Sequence, residues 1–252
     1  MPTYYLAHQN LREIGEKVFG RDIKELGLNY CSKFCLWYRI LPSDVIQFIG
    51  FKQYSQGFYD TNIAAQPLNI PLFDLSRCGK GEVPCYKCYS DVPVIFWRMQ
   101  SLKMVPSSTV PRITGLKTDP MDIILDHMKL TYETVAKPVL YNAIDAESCY
   151  ECYQRVKEIW IRTARVSMGD QKAENEKKMS NLLEIMILGN IGKFQEARRA
   201  VEINRELFPR YAEGLSKYVS DIVNNDEERF KRTLKEISEK NITMLKEYGL
   251  IK

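Results

Sequence analysis

The sequence predicts an α+β fold: an N-terminal helix and antiparallel sheet, followed by an all-helical C-terminal portion of antiparallel helix pairs. Three observations carry this. Of the 28 aromatic residues, 17 fall within residues 1 to 100. Ten of the 11 prolines stand at or before Pro138. Charged residues run the other way, with 31 in the first 150 residues and 37 in the remaining 102. An aromatic, proline-punctuated stretch favours short strands and turns, and a charge-rich, nearly proline-free one favours helices. The expected division is therefore 1–120, with an irregular proline-rich part at 67–120, and a helical segment 121–252.

Each element has its own signal. Leu11, Ile14, Val18 and Phe19 recur at helical spacing within residues 8 to 26, and Gly27 stands where a helix C-cap belongs. Three strands follow at Phe34–Leu41, Val45–Tyr54 and Phe58–Ala65, separated by Pro42-Ser43-Asp44 and by a Ser-Gln-Gly turn. Linkers this short make them antiparallel neighbours. Large apolar groups occur at both parities: Val45, Ile49 and Phe51 against Ile46 and Phe48. Such a sheet is expected to be covered on both faces, by the first helix and by the helical back half. An exposed binding face is the competing reading. A further strand is expected at Val92–Met99, and helices at 121–136, 145–166, 174–190, 193–208, 213–224 and 226–248. Asp145 and Asp226 are placed to cap two of them.

Composition narrows the function classes. At 45% hydrophobic and 27% charged the 252 residues are ordinary for a globular chain, which excludes a wholly disordered or collagen-like one. A net charge of +4 makes nucleic acid an unlikely partner and gives no case for an acidic membrane. The first residues show no basic, then apolar, leader pattern, and no uncharged run could span about 20 residues of hydrocarbon. Seven cysteines, an odd number, fit a reduced compartment. A cytoplasmic protein is expected. The two histidines, His8 and His127, leave little room for imidazole-rich metal sites or triads.

Residues 8 to 68 carry a helix ending near Gly27-Leu28, Trp37-Tyr38-Arg39, and Gln47-Phe48-Ile49 with Lys52 and Tyr54. Gly57-Phe58 and Asn62-Ile63 complete the set. This stretch, about a quarter of the chain, resembles the bacterial family catalogued as domain of unknown function 4304. The resemblance implies an α+β domain of a kind that often looks like a partner-binding or toxin-immunity protein. None of its residues is a catalytic signature. Further on, Gly192, Phe194, Ala197 and Pro209 are spaced as in the second half of a tetratricopeptide repeat. In that reading Ala197 lets two helices approach and Pro209 stops the second. Ile185 replaces the glycine of the repeat's first helix and no second full copy follows, so an ordinary helical hairpin stands beside it.

The most metal-like feature is Cys78, Cys85 and Cys88, where a Cys-x-x-Cys knuckle after Pro84 could present thiolates to zinc. No fourth ligand stands at suitable spacing, so free thiols are expected, with no cofactor and with zinc as the runner-up. Deaminase chemistry needs a Glu two residues after an upstream His or Cys, and Lys33, Trp37 and Lys80 occupy those places instead. Cys149 and Cys152 fall one turn apart inside a helix, where packing is the expected role rather than redox chemistry. His127 follows Asp126, but neighbours on a helix point about 100° apart. No Walker or Gly-x-Gly-x-x-Gly pattern occurs.

The reading is a cytosolic protein-interaction module, an immunity or regulatory protein that holds a protein partner. The alternatives are an enzyme with its site near the loop 67–90, and a zinc-stabilised structural domain. Candidate contact residues are Phe73, Tyr86 and Tyr89 on the irregular loop. Asn181 and Glu184, with Met186, and Lys217 and Tyr218, with Asp221, are expected on the two helices that would line a repeat-like groove.

Overall fold

The computed structural model describes residues 8–53, 59–71, 97–99, 125–126, 128–130 and 132–252. Helix α1 (His8–Phe19) buries Leu11, Ile14, Val18 and Phe19 on one stripe. Gly20, at φ +55°, interrupts the expected single helix, and α2 (Asp22–Glu25) adds one turn. Gly27, at φ +65°, then closes it, with the Leu28 N–H donating to the Ile23 carbonyl at 2.9 Å. That left-handed closure is what a missing Cβ permits.

Five strands follow in chain order: β1 (Asn29–Cys31), β2 (Leu36–Ile40), β3 (Val45–Gln53), β4 (Tyr59–Pro67) and β5 (Trp97–Met99). All neighbours are antiparallel, with Trp37 opposite Ile49 and Ile49 opposite Ile63. Three expected strands match β2, β3 and β4; β1 was not anticipated, and of 92–99 only the last three residues are described. Pleating sends Trp37, Val45, Ile49, Ile63 and Ala65 into the larger core and Leu36, Ile46, Phe48 and Ala64 into a smaller one. Helix α1 and the C-terminal helices cover the first face; Leu245 and Leu250 help cover the second. Both faces of the central strands are thus covered, and the reading of an exposed sheet face falls. Each of these large side chains stabilises the fold by roughly 1.5–3 kcal/mol.

A π-helical turn, Tyr132–Ala136, leads into α3 (Lys137–Asn142). Pro138 lacks an N–H and its ring crowds the carbonyl four residues back; the wider turn just before it makes room. Helix α4 (Ala146–Met168) starts from a capping box in which Asp145 accepts from the Ser148 N–H at 2.8 Å. The expected helix 174–190 is two, α5 (Asp170–Lys178) and α6 (Leu182–Asn190). The buried amide of Asn204 accepts from the Ser180 N–H and donates to the Ser180 carbonyl, pinning the break between them.

Helices α7 (Phe194–Leu207), α8 (Pro209–Val223) and α9 (Glu227–Glu247) complete the chain. Gly192, at φ +79°, turns α6 into α7, and Ala197 is wholly buried, as the hairpin reading expects. Pro209 is the first residue of α8, so that helix begins four residues earlier than expected. Asp226 caps α9, accepting from the Arg229 N–H at 2.9 Å. Helix α6 is apolar nearly all round and sits among α4, α7, α8 and α9, with Leu182 and Glu184 to Leu188 buried. The larger core runs unbroken from α1 and the sheet into these helices, across residue 120.

Candidate functional site

Among the described residues, a cluster of ionisable groups lies where α2 faces the π turn and α3. Asp22, 3% exposed, accepts from the Tyr132 hydroxyl at 2.8 Å and from the Tyr141 hydroxyl at 3.0 Å. Lys137 Nζ reaches Asp22 Oδ2 at 3.0 Å and Glu133 Oε2 at 3.1 Å. The Tyr141 hydroxyl also approaches Glu25 Oε2 at 3.3 Å. The π turn and α3 supply all three partners of Asp22, Tyr132, Lys137 and Tyr141, and Glu133, Lys137 and Tyr141 line up because they recur every fourth residue.

The charges are settled. Burial alone raises the Asp22 pKa, but hydrogen bonds from Tyr132, Lys137 and Tyr141 together with the lysine charge hold it below the usual value. Hydrogen bonds to Asp22 and Glu133 raise the Lys137 pKa. Burial and then Asp22 push both tyrosines upward. At neutral pH the set is one carboxylate, one ammonium and two neutral phenols, each stabilised in its ordinary form. Such a set binds and fixes; none of these shifts draws a group toward the neutral pKa that suits a proton shuttle. Beside it Glu133, Lys137, Pro138, Tyr141 and Asn142 line a shallow hollow of ≈370 Å³.

A second network ties the sheet to the same helix. Arg39 donates to Gln47 Oε1 at 2.7 Å, to the Leu26 carbonyl at 2.9 Å and to the Leu140 carbonyl at 2.6 Å. Gln47 donates onward to the Leu140 and Ala143 carbonyls at 3.1 and 2.7 Å. A cation on these C-terminal carbonyls also complements the helix dipoles.

The expected site residues have varied fates. Phe73, Tyr86 and Tyr89, and Cys78, Cys85 and Cys88, lie outside the described residues, as does His127. Asn181 and Glu184 are buried rather than lining a groove, because α6 is enclosed. Asn181 Oδ1 caps α6 by accepting from the Glu184 N–H at 2.8 Å. The Glu184 carboxylate takes Lys157 Nζ at 2.8 Å, the Tyr153 hydroxyl at 3.2 Å and the Gln154 amide at 2.9 Å. Met186 is fully buried, and buried Asp221 accepts from the Thr233 hydroxyl at 2.7 Å and pairs with Arg229 at 3.1 Å. Tyr218 is half-buried against the core and Lys217 stands on α8 beside it.

Cys149 and Cys152 are buried in α4, where burial pushes both thiols up and away from thiolate character, in keeping with a packing role. Among the described residues no group of three or more His, Cys, Asp or Glu side chains is arranged to hold a metal ion. No helix among them is long and apolar enough to cross a membrane. No family model, curated protein or solved structure matches the chain.

Proposed function

We propose that this chain is a protein-interaction module, a bacterial immunity or regulatory protein of the cytoplasm that holds a protein partner. The observation that carries the reading is the succession of helix pairs α4/α5, α6/α7 and α8/α9, packed on a sheet and held rigid by buried polar networks. Such an array presents a fixed outer surface, and fixed surfaces lose little conformational entropy on docking. Helix α7 illustrates it: Ala197, Ala200 and Val201 face inward while Gln195, Glu196, Arg199, Glu202 and Arg205 stand outside.

The test is capture of a stoichiometric protein from extracts of the source cell by the full-length chain. Single alanine substitutions of Phe73, Tyr86, Tyr89, Lys217 and Tyr218 accompany it. A partner retained by the parent chain and lost on at least one substitution, at unchanged melting temperature, supports the proposal. Retention of no protein at micromolar bait overturns it.

A further inference from the structure

Among the described residues, the second face of the sheet is closed by the end of α9 and the turn after it. Leu245 and Leu250 pack with Leu36, Ile46 and Phe48 in one apolar cluster. The seat is specific as well as apolar. The Asn241 amide donates to the Leu68 and Ile70 carbonyls, and Lys33 Nζ stands 4.6 Å from the centre of the Tyr248 ring. Gly249, at φ +69°, then turns the chain back, with the Leu250 N–H donating to the Leu245 carbonyl at 2.9 Å. Helix α9 is therefore an arm with a fitted socket, and one short stretch, residues 224–226, joins it to α8.

That joint differs from three earlier ones. Gly169, Gly192 and Pro209 stand at the α4–α5, α6–α7 and α7–α8 junctions. Between α8 and α9 stand Asn224, Asn225 and Asp226, all exposed. From Leu215 to Tyr248 the chain has neither glycine nor proline, so nothing in the sequence forbids a helix running through the joint. Asn225 is held at φ +57°, the left-handed region in which a side chain is strained. A short joint under strain favours the exchange of an element between copies. Straightened, it would make residues 209–247 one helix of roughly 58 Å, which carries α9 clear of its own sheet.

We infer that α9 is an exchangeable arm: two copies of this chain form a dimer in which each α9 seats on the second sheet face of the other. The contacts of the arm are remade between copies: Phe230 against Gly189, Asp221 with Arg229 and Thr233, and Asn241 on its two carbonyls. What is given up is confined to the joint. There the Asp226 N–H bond to the Asp221 carbonyl and the Asp226 cap on the Arg229 N–H give way to ordinary helical bonds. The left-handed Asn225 is released in the same step. Monomer and dimer thus differ by the joint and by the entropy of association, so concentration and the residues of the joint set which form prevails.

The test unfolds the full-length chain in denaturant, refolds it at about 1 µM and at about 100 µM, and sizes both samples by chromatography with light scattering. The concentrated sample should hold a dimer that reverts slowly on dilution, because each arm must first leave its socket. Deleting Asn224 and Asn225 leaves too little chain to turn the hairpin, so that variant should be dimeric already in the dilute sample. Asn225→Gly, which accepts the left-handed turn without strain, should lower the dimer fraction several-fold. In a dimer of one isotope-labelled and one unlabelled copy, nuclear Overhauser contacts should run from the Leu245 and Leu250 methyls of one copy to Leu36, Ile46 and Phe48 of the other. A parent chain that is monomeric at both concentrations overturns the inference. So does a folded, monomeric deletion variant, a dimer fraction indifferent to Asn225→Gly, or a dimer whose Leu245 contacts stay within one copy. If the deletion variant fails to fold, the parent chain and Asn225→Gly decide.

Discussion

The indole of Trp37 lies against the backbone of Gly15 so closely that a Cβ built there would sit 1.9 Å from Trp37 Cη2. Helix α1 can therefore lie flat on the sheet only with glycine at that position. Gly15→Ala is expected to destabilise the protein by about 1–3 kcal/mol through overpacking, despite the roughly 1 kcal/mol that alanine gains in helix propensity. Chemical denaturation of the variant measures it. Pairing Gly15→Ala with Trp37→Leu should cost less than the two single changes added together, since the second makes room for the first.

Asp22 makes the fold sensitive to acid. Its folded pKa lies below the unfolded value near 3.8, so its contribution is fully present above about pH 5. That contribution is lost as pH falls through the folded pKa. Asp22→Asn should lower stability at pH 7 by about 1–3 kcal/mol, because the Tyr132 and Tyr141 hydroxyls lose their ionised acceptor while Lys137 keeps Glu133. The gap between parent and variant should narrow as pH falls below 3.8 and on through the folded pKa of Asp22. Denaturation midpoints across pH 2 to 7 check both statements.

The Glu184–Lys157 pair sets how α4 lies on α6. With side-chain exposures of 8% and 11%, each charge depends on the other. Glu184→Ala should cost about 3–5 kcal/mol by leaving Lys157 inside without a counter-charge. The double substitution Glu184→Leu with Lys157→Met should recover most of that loss, measured by the same denaturation.

Cys78, Cys85 and Cys88 lack a fourth ligand at suitable spacing in the sequence. Purified protein should carry well under one equivalent of zinc by elemental analysis, and a chelator should leave the melting temperature unchanged. Stoichiometric zinc with collapse on chelation would make the metal part of the fold.

Much of the architecture was legible because it is written locally. The turn at Pro42-Ser43-Asp44 separates β2 from β3, and the mixed parity of Val45 to Ile49 announced a sheet covered on both sides. Asp145 and Asp226 read as caps and are caps. What was missed is set from far away. The α5–α6 break at Met179 to Asn181 has neither glycine nor proline; Asn204, 24 residues on, holds it. The meeting of Asp22 with Tyr132, separated by 110 positions, has no signature in either segment. The four-residue recurrence of Glu133, Lys137 and Tyr141 was the one available hint, and it reads equally as a solvated helix stripe. Asn181 and Glu184, with Met186, were expected to line a groove because the first helices of tetratricopeptide-like pairs do so, and the helices packed around α6 bury all three instead.

The side-chain amide of Asn241 donates to the carbonyls of Leu68 and Ile70, at 2.7 and 2.8 Å, across more than 170 residues of chain. At a ribosomal pace of roughly 5–20 residues per second, the turn leaving β4 waits about 10–35 s for that donor to be synthesised. Throughout that interval Leu36, Ile46 and Phe48 also lack the cover that Leu245 and Leu250 later provide. The nascent chain thus carries a bare apolar sheet face until α9 and the residues just after it have been made. Ribosome-associated chaperones recognise that kind of surface, so the yield of this protein in the cell should depend on them more than its finished stability suggests.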